Sequence, residues 1–123
     1  MPTFSIVTNV PKHKIPSTFL ADASKFVSEV LQTPELYIAV KIKAGQQMNW
    51  FSTKVPNEEP CALGSIAGTL KLGLDENNKY APLLQGYIEK HIGVPTNRCY
   101  LSFSEQKPSN IGVKGTTLEE IIQ

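Results

Sequence analysis

The fold of this chain is decided by residues 3–43, which read TFSIVTNVPKHKIPSTFLADASKFVSEVLQTPELYIAVKIK. Apolar and polar residues alternate over residues 3–9, and this alternation predicts a strand. Residues 37–43, YIAVKIK, predict a second strand. The segment between them has room for a helix, so the stretch predicts one strand–helix–strand unit whose two strands pair in parallel.

The predicted helix of this unit has its N-cap at Ser17 and stops at Pro34, because proline cannot continue a helix. Its apolar residues recur with helical spacing and form a single face. These residues are Phe19, Leu20, Ala23, Phe26, Val27, Val30 and Leu31.

The second half of the chain repeats this order. Residues 61–68, CALGSIAG, predict a strand of small residues, and residues 98–103 predict the closing strand. We expect residues 74–78 to be a connection and the second helix to begin late or irregularly, because Pro82 lies near its first turn. Gly93 is the expected C-terminal cap. The apolar face of this helix consists of Tyr80, Leu83, Leu84, Tyr87, Ile88 and His91.

Two consecutive strand–helix–strand units predict one α/β (α+β) domain over residues 1–123, with a four-stranded mixed sheet and both helices on one face. The other sheet face then stays uncovered, although apolar side chains are expected on both sides. A sheet with two apolar faces and helices for only one needs a partner surface, so we expect an oligomer. The apolar residues concerned are Ile6 or Val7, Ile38 or Ala39, Leu63 and Leu101.

Composition argues against several classes of protein. The 123 residues carry 12 basic and 11 acidic side chains, so no strong field indicates a nucleic-acid or anionic-membrane partner. No apolar run is long enough to span a membrane. A secretory signal is not expected, because Pro11 and Lys12 interrupt the apolar start. A metal site is not expected either, because the two histidines and two cysteines lack ligand spacing.

The two cysteines, Cys61 and Cys99, are expected to be reduced core residues, with a disulfide between them as the minor alternative. Near the carboxyl end, Glu119 and Glu120 are expected to belong to a solvated tail.

The amino terminus carries a candidate base. Met1 before a small residue such as Pro2 is normally removed during synthesis, which leaves a free prolyl nitrogen. An α-amino group titrates at about pH 8, and burial lowers its pKa further because burial disfavours the charged form. A rigid base that is neutral at about pH 7 suits proton transfer. The simpler alternative is a Met-Pro start with no chemical role.

Six short motifs occur along the chain in a specific order: MP at 1–2, TNVP at 8–11, YIAV at 37–40, EPCAL at 59–63, NRCY at 97–100, and NIG with GTT at 110–117. Together they resemble the macrophage migration inhibitory factor family of the tautomerase superfamily. The resemblance implies the double strand–helix–strand fold assembled as a homotrimer. It also implies a cofactor-free keto–enol tautomerase, an isomerase of aromatic α-keto acids such as phenylpyruvate and of D-dopachrome, with Pro2 as general base.

The resemblance further implies a substrate pocket beside the amino terminus. Thr33 stands where the family has a lysine that binds the substrate carboxylate, and Thr69 is expected to offer its backbone N–H to the same group. Val113 and Leu118 stand where the family has bulky aromatic rim residues, so a wider and less aromatic pocket is expected. The other implied residues are Tyr37 and Ile111, together with Tyr100 and Ser102 from the neighbouring subunit.

Several departures from the family pattern bear on function. A thiol–disulfide oxidoreductase needs a second thiolate, and residues 61–64, CALG, provide only one. Residues 48–60 include four extra residues, among which Trp50 and Phe51 are expected either to form a rim over the pocket or, more simply, to pack on the sheet edge. The cation missing at Thr33 has possible substitutes in Lys12, Lys41, Lys54 and Lys71.

More than one function is compatible with these residues. The missing lysine predicts weak tautomerase activity, and a secreted cytokine-type binding protein with little catalysis, recognised by a cell-surface receptor, is the alternative. Decarboxylation or dehalogenation is disfavoured, because those relatives use arginines near the proline and the only arginine here is Arg98. The expected location is the cytoplasm, or the exterior by a non-classical route.

Overall fold

The computed structural model describes residues 1–51 and 59–122. It confirms the predicted order of two strand–helix–strand units and adds a short hairpin and a third helix after them. The elements are β1 (Thr3–Thr8), α1 (Phe19–Leu31), β2 (Ala39–Lys43), β3 (Ala62–Gly68), α2 (Leu74–Ile92), β4 (Cys99–Glu105), β5 (Gly112–Val113), β6 (Thr116–Thr117) and α3 (Leu118–Ile122).

The main sheet has four strands in the order β2-β1-β3-β4. β1 pairs with β2 in parallel, and β3 pairs with β4 in parallel. β1 and β3 pair antiparallel at the centre and join the two units. The α+β class with a mixed sheet is therefore confirmed, and α1 and α2 are the crossover connections that parallel pairs require.

The core lies between one face of this sheet and the two long helices. Phe4 and Ile6 of β1 are buried there at alternate positions, and Val27 of α1 and Ile88 of α2 face them. Thr8 is the one buried polar side chain in the described part of the chain. Its hydroxyl donates to the Cys61 carbonyl at 2.7 Å and ties the end of β1 to the start of β3.

The start of α1 differs from the prediction. Ser17 is not the N-cap, because it lies in a turn closed by the Phe19 N–H donating to the Pro16 carbonyl. Thr18 is the N-cap residue, and its hydroxyl donates to the Asp22 carboxylate at 2.9 Å rather than accepting from the backbone.

The start of α2 also differs. Residues 74–78 were expected to be a connection, but they form the first turn of α2, with Asp75 and Glu76 at its positive end. Pro82 lies inside the helix on its exposed side. Proline has no N–H to donate to the carbonyl group four residues earlier, and on this side water can take that place. Leu83, the next residue, and Leu20 of α1 were both predicted on apolar helix faces. They are 50% and 47% exposed, respectively.

The uncovered sheet face is less apolar than expected. Lys41, Ser5, Ser65 and Ser102 align across the four strands in one row of this face. Leu63 is its large exposed aliphatic residue. Of the apolar residues expected on the two faces, Ile6, Ile38 and Leu101 pack on the helix side. The strand register places Val7, Ala39 and Leu63 on the open face.

Cys61 and Cys99 are free and buried, as expected for small core residues. Burial raises the pKa of both thiols, and that of Cys99 to about 11. Among the described residues, no helix has the length and apolarity needed to cross a membrane.

Candidate functional site

A cavity of about 420 Å³ opens beside the amino terminus. It lies where the end of α1, the end of β3 and the carboxy-terminal segment meet, and it contains four of the residues predicted to bind substrate. The lining residues are Met1, Thr33, Tyr37, Thr69, Pro108, Leu118, Ile121 and Ile122.

The end of α1 positions one side of this cavity. Gln32 adopts a left-handed conformation (φ 52°) at the C-cap, so the chain leaves the helix and directs Thr33 to the cavity. One turn of 3-10 helix (Glu35–Tyr37) follows, closed by the Tyr37 N–H donating to the Pro34 carbonyl at 3.0 Å. This turn places Tyr37 beside Thr33.

Thr33 is held by three local hydrogen bonds. Its N–H donates to the Ser28 carbonyl at 3.1 Å, and its carbonyl accepts from the Ser28 hydroxyl at 2.6 Å. The Thr33 hydroxyl donates to the Leu31 carbonyl at 3.2 Å. Because a hydroxyl has one proton to donate, Thr33 presents lone pairs rather than a donor to a carboxylate.

Pro2 is buried at the point where β1 begins. Its carbonyl accepts from the Ala39 N–H at 3.2 Å, which fixes it beside β2. On its other side it meets Gly68, where an added Cβ would lie 2.6 Å from the Pro2 Cα and 3.0 Å from the Pro2 nitrogen. Glycine at position 68 therefore lets the amino terminus cross the end of β3. Sequence reasoning missed this role, although a glycine at a strand end is a signal of close backbone approach.

Met1 extends from Pro2 into the cavity. Its amino group donates to the Thr69 hydroxyl oxygen at 2.8 Å, and partial burial lowers the pKa of that amino group below its ordinary value. Thr69 is the acceptor in this bond, so its own O–H can still donate. With Met1 attached, the Pro2 nitrogen is an amide without a basic lone pair.

The Met1 amino group is the one positive group among the described residues that line the cavity. Lys71 pairs with Glu76 at 3.5 Å, and Lys41 lies on the open sheet face. Lys12 lines another cavity, beside Phe19. Lys54 lies outside the described residues.

The carboxy-terminal segment supplies the apolar wall of the cavity, which consists of Pro108, Leu118, Ile121 and Ile122. Lys114 (φ 55°) and Gly115 (φ 79°) form the two-residue turn between β5 and β6, with the left-handed backbone that such hairpins need. The Leu118 N–H then donates to the Ile111 carbonyl at 2.8 Å, where α3 begins. The expected tail is thus a helix, and its Glu119 and Glu120 are exposed, as expected.

Three residues of α3 face the cavity: Leu118, Ile121 and Ile122. They are spaced i, i+3 and i+4, which places them on one side of the helix, while Glu119 and Glu120 are exposed. Sequence reasoning missed Ile121 and Ile122, and this helical spacing was the signal that pointed to them.

The remaining candidates lie elsewhere in the single chain. Tyr100 and Ser102 line a second cavity of about 660 Å³ along β4. Ile111 and Val113 are not among the residues that line either cavity. Val113 instead pairs with Thr116 in the hairpin.

The aromatic pair of residues 50 and 51 packs against β4. Trp50 is 7% exposed, and its ring lies 5.1 Å from that of Tyr100 and 5.8 Å from the Arg98 guanidinium. Phe51 is exposed and lies 4.6 Å from Tyr100, ring to ring. This agrees with the simpler expectation of packing at the sheet edge, although residues 52–58 of that insertion lie outside the described residues.

Comparisons with known proteins test the resemblance directly. Residues 1–119 match the family model described as Macrophage migration inhibitory factor (MIF). The chain is 35% identical over 117 residues to the macrophage migration inhibitory factor of Xenopus tropicalis, covering 95% of this chain and 98% of that protein. It is 33% identical to the macrophage migration inhibitory factor homolog of Brugia malayi, with the same coverage.

A solved structure agrees with these sequence matches. The macrophage migration inhibitory factor from Trichinella spiralis superimposes with a TM-score of 0.85 at 29% identity, covering 94% of this chain and 98% of that one. The resemblance is confirmed, and the chain belongs to the macrophage migration inhibitory factor family.

Proposed function

We propose that this chain is a cofactor-free keto–enol tautomerase of aromatic α-keto acids, with the nitrogen of Pro2 as general base once Met1 is removed. Membership of the family supports a tautomerase- or cytokine-type function in general. The observation that carries the finer proposal is the contact of Pro2 with Gly68, because it holds the amino terminus rigidly beside an apolar cavity.

Removal of Met1 turns the Pro2 amide into a secondary amine. The Met1 amino group already has a lowered pKa although Met1 is 38% exposed. Pro2 is buried, so desolvation should lower the pKa of its amine further and leave more of it neutral at about pH 7. A neutral amine held in one direction is suited to general base catalysis.

The proton transfer needs no group beyond this amine and solvent. The Pro2 nitrogen takes a proton from C3 of the keto acid, and the electron pair of that C–H bond forms the double bond between C2 and C3. The carbonyl oxygen gains a proton from solvent to give the enol, and the prolinium returns its proton to solvent. Charge and atoms balance, and the reverse sequence gives ketonisation.

The cavity has both polar and apolar lining residues that suit such a substrate. Thr69 lies next to the amino terminus, where its hydroxyl and backbone N–H can donate to a carboxylate. Tyr37, Leu118 and Ile121 provide the apolar surface for an aromatic ring. Without a lysine among the described lining residues, carboxylate binding should be weak, which is why we propose modest activity.

We also propose a homotrimer in which Tyr100 and Ser102 of a neighbouring subunit complete the pocket. Both lie on β4, which is an edge strand among the described residues and can take up a partner. Tyr100 is 55% exposed and Leu63 beside it is 44% exposed, so together they offer apolar surface that a partner would cover. Sedimentation at micromolar concentration should give three times the 13.6 kDa chain, and a monomer would contradict this proposal.

A cytokine-type binding protein is the second candidate, and the absence of a lysine from the described lining of the cavity favours it. In that role the trimer surface would be recognised by a cell-surface receptor after non-classical export from the cytoplasm. A trimer that binds but does not convert phenylpyruvate would favour it over the enzyme.

Pro2→Gly tests the proposed base. Glycine also permits removal of Met1 and keeps an amine, but it loses the ring that fixes the direction of the lone pair. We expect this variant to fold and assemble as the wild type does and to convert phenylpyruvate at least ten-fold more slowly, a typical loss for a displaced general base being about 100-fold or more. Equal rates in the two mature proteins would exclude Pro2 as the base.

A further inference from the structure

We propose that α3 determines substrate specificity, and that Ile121 and Ile122 select α-keto acids whose far end is apolar and lacks hydrogen-bonding groups. This inference rests on the proposed tautomerase function and names the substrate class of the same cavity. Ile121 and Ile122 both line that cavity, together with the polar residues Thr33 and Thr69.

The two isoleucines are unusually exposed for their size. Ile121 is 44% exposed and Ile122 is 62% exposed, and both project from the apolar side of a helix whose other side carries two glutamates. Covering this surface with an apolar ligand removes it from water and stabilises the complex. The wall is therefore suited to binding an apolar group.

Two residues of this wall lie beyond the residues that the family model matches. The family model matches residues 1–119, so Leu118 lies within the matched residues, whereas Ile121 and Ile122 lie after them. The family match therefore does not account for the surface that these two residues add to the cavity.

The wall is held in a defined position. At its start, the Leu118 N–H donates to the Ile111 carbonyl at 2.8 Å. Within the first turn, the Glu120 N–H donates to the Thr117 hydroxyl oxygen at 3.4 Å. Because α3 is anchored at its beginning, its apolar side faces the cavity rather than solvent alone.

The chemistry of this wall predicts which substrates it disfavours. The side chains of Pro108, Leu118, Ile121 and Ile122 carry no hydrogen-bond donor or acceptor. A hydroxyl on the part of the substrate ring that packs against this wall would gain no hydrogen-bond partner from these four side chains. Phenylpyruvate should therefore be preferred over 4-hydroxyphenylpyruvate, which differs from it by this hydroxyl alone.

The test compares the mature wild type with the double variant Ile121→Ala/Ile122→Ala. Tautomerisation of phenylpyruvate and 4-hydroxyphenylpyruvate gives kcat and KM, and calorimetric titration with 3-phenylpropionate gives affinity without turnover. In the double variant we expect kcat/KM for phenylpyruvate to fall about ten-fold or more, mainly through KM, because apolar contacts of this size carry discrimination of that order. The affinity for 3-phenylpropionate should fall in parallel, and the preference between the two keto acids should narrow.

Glu119→Gln/Glu120→Gln is the matched control, because it alters the exposed side of the same helix and leaves the wall intact. It should keep the wild-type preference and affinity. Sedimentation of all three proteins then separates substrate binding from assembly.

The possible outcomes separate the inference about α3 from the tautomerase proposal. If the double variant keeps the wild-type preference and affinity, the inference about α3 is overturned while the tautomerase proposal stands. If it sediments as a smaller particle, Ile121 and Ile122 belong to a subunit contact, and the inference is again overturned. If the wild type converts neither keto acid but binds 3-phenylpropionate more tightly than the double variant does, the tautomerase proposal fails and the wall stands as an apolar binding surface.

Discussion

Gly68 and Pro2 pack so closely that no side chain fits between them: a Cβ on Gly68 would lie 2.6 Å from the Pro2 Cα. The atoms it would meet are backbone atoms of the first two residues, so no flexible side chain can yield. Residue 68 ends β3 and residue 2 precedes β1, and the antiparallel pairing of these strands brings them together. This contact holds the proposed base in place.

Gly68→Ala should therefore displace the amino terminus. We expect a loss of about 1 to 3 kcal/mol in the free energy of unfolding, as for other overpacked sites, and a larger relative loss of tautomerase activity. Urea denaturation and the phenylpyruvate assay measure the two effects.

Gly86→Ala is the control for this substitution. An added Cβ at Gly86 of α2 meets nothing within 4 Å, and alanine is the better helix former. This variant should be as active as the wild type and slightly more stable. If Gly68→Ala behaves like Gly86→Ala, the contact with Pro2 does not constrain the site.

Cys99 should make the stability depend on pH in the alkaline range. Burial raises the pKa of its thiol to about 11 in the folded chain, whereas an unfolded cysteine titrates at about pH 8.5. The unfolded state therefore loses its proton first, so stability is fully present below the unfolded pKa and falls as the pH rises through the folded pKa. We expect a decrease of roughly 1 to 3 kcal/mol between pH 8.5 and 11.

Urea denaturation across that range, for the wild type and for Cys99→Ala, isolates this contribution. The difference in stability between the two proteins should shrink as the pH rises. A difference that stays constant from pH 8 to pH 11 would mean that the Cys99 thiol has an ordinary pKa in the fold.

The described lining of the cavity has no positive group apart from the Met1 amino group. Thr33→Lys should add a cation at the position where the family has one. A charge-assisted contact with the substrate carboxylate is worth about 1 to 2 kcal/mol, or roughly 5- to 30-fold in KM for phenylpyruvate. The added charge also disfavours the protonated form of the Pro2 amine, so the acid limb of kcat/KM should move to lower pH.

Gln32→Lys is the control for this charge, because it adds the same group one residue earlier on an exposed side chain. Its effect on KM and on the acid limb should be clearly smaller. If Thr33→Lys alters neither quantity, a structure with a bound carboxylate will show whether another lysine already serves or whether the cavity no longer binds α-keto acids.

The main elements of the fold could be predicted because burial imposes periodicity on the sequence. Phe4 and Ile6 alternate with partly exposed residues in β1, and Ala23 and Val27 repeat once per turn in α1. The start of α2 could not be predicted in the same way. Pro82 indicated a late start, but it lies on the exposed side of the helix, where water can replace the lost hydrogen bond.

The candidate site was predictable only in part. Thr33, Tyr37, Thr69 and Leu118 line one cavity, in agreement with the family pattern. Gly68 at the end of a strand signals a close backbone approach, but its contact with Pro2 depends on how two distant segments cross, so the local pattern does not identify the partner. Ile121 and Ile122 follow the residues that the family model matches, so the resemblance offered no guide to them.

The most direct test of the account follows the loss of Met1 from one and the same sequence. Chain that retains Met1, prepared as such and verified by mass spectrometry, is treated with a methionine aminopeptidase, and samples are taken for mass and for phenylpyruvate tautomerisation. Because the Pro2 nitrogen gains a basic lone pair only when Met1 is removed, the rate should begin near the solvent background and rise in proportion to the fraction of chains that begin with Pro2. Equal activity before and after removal of Met1 would contradict the account.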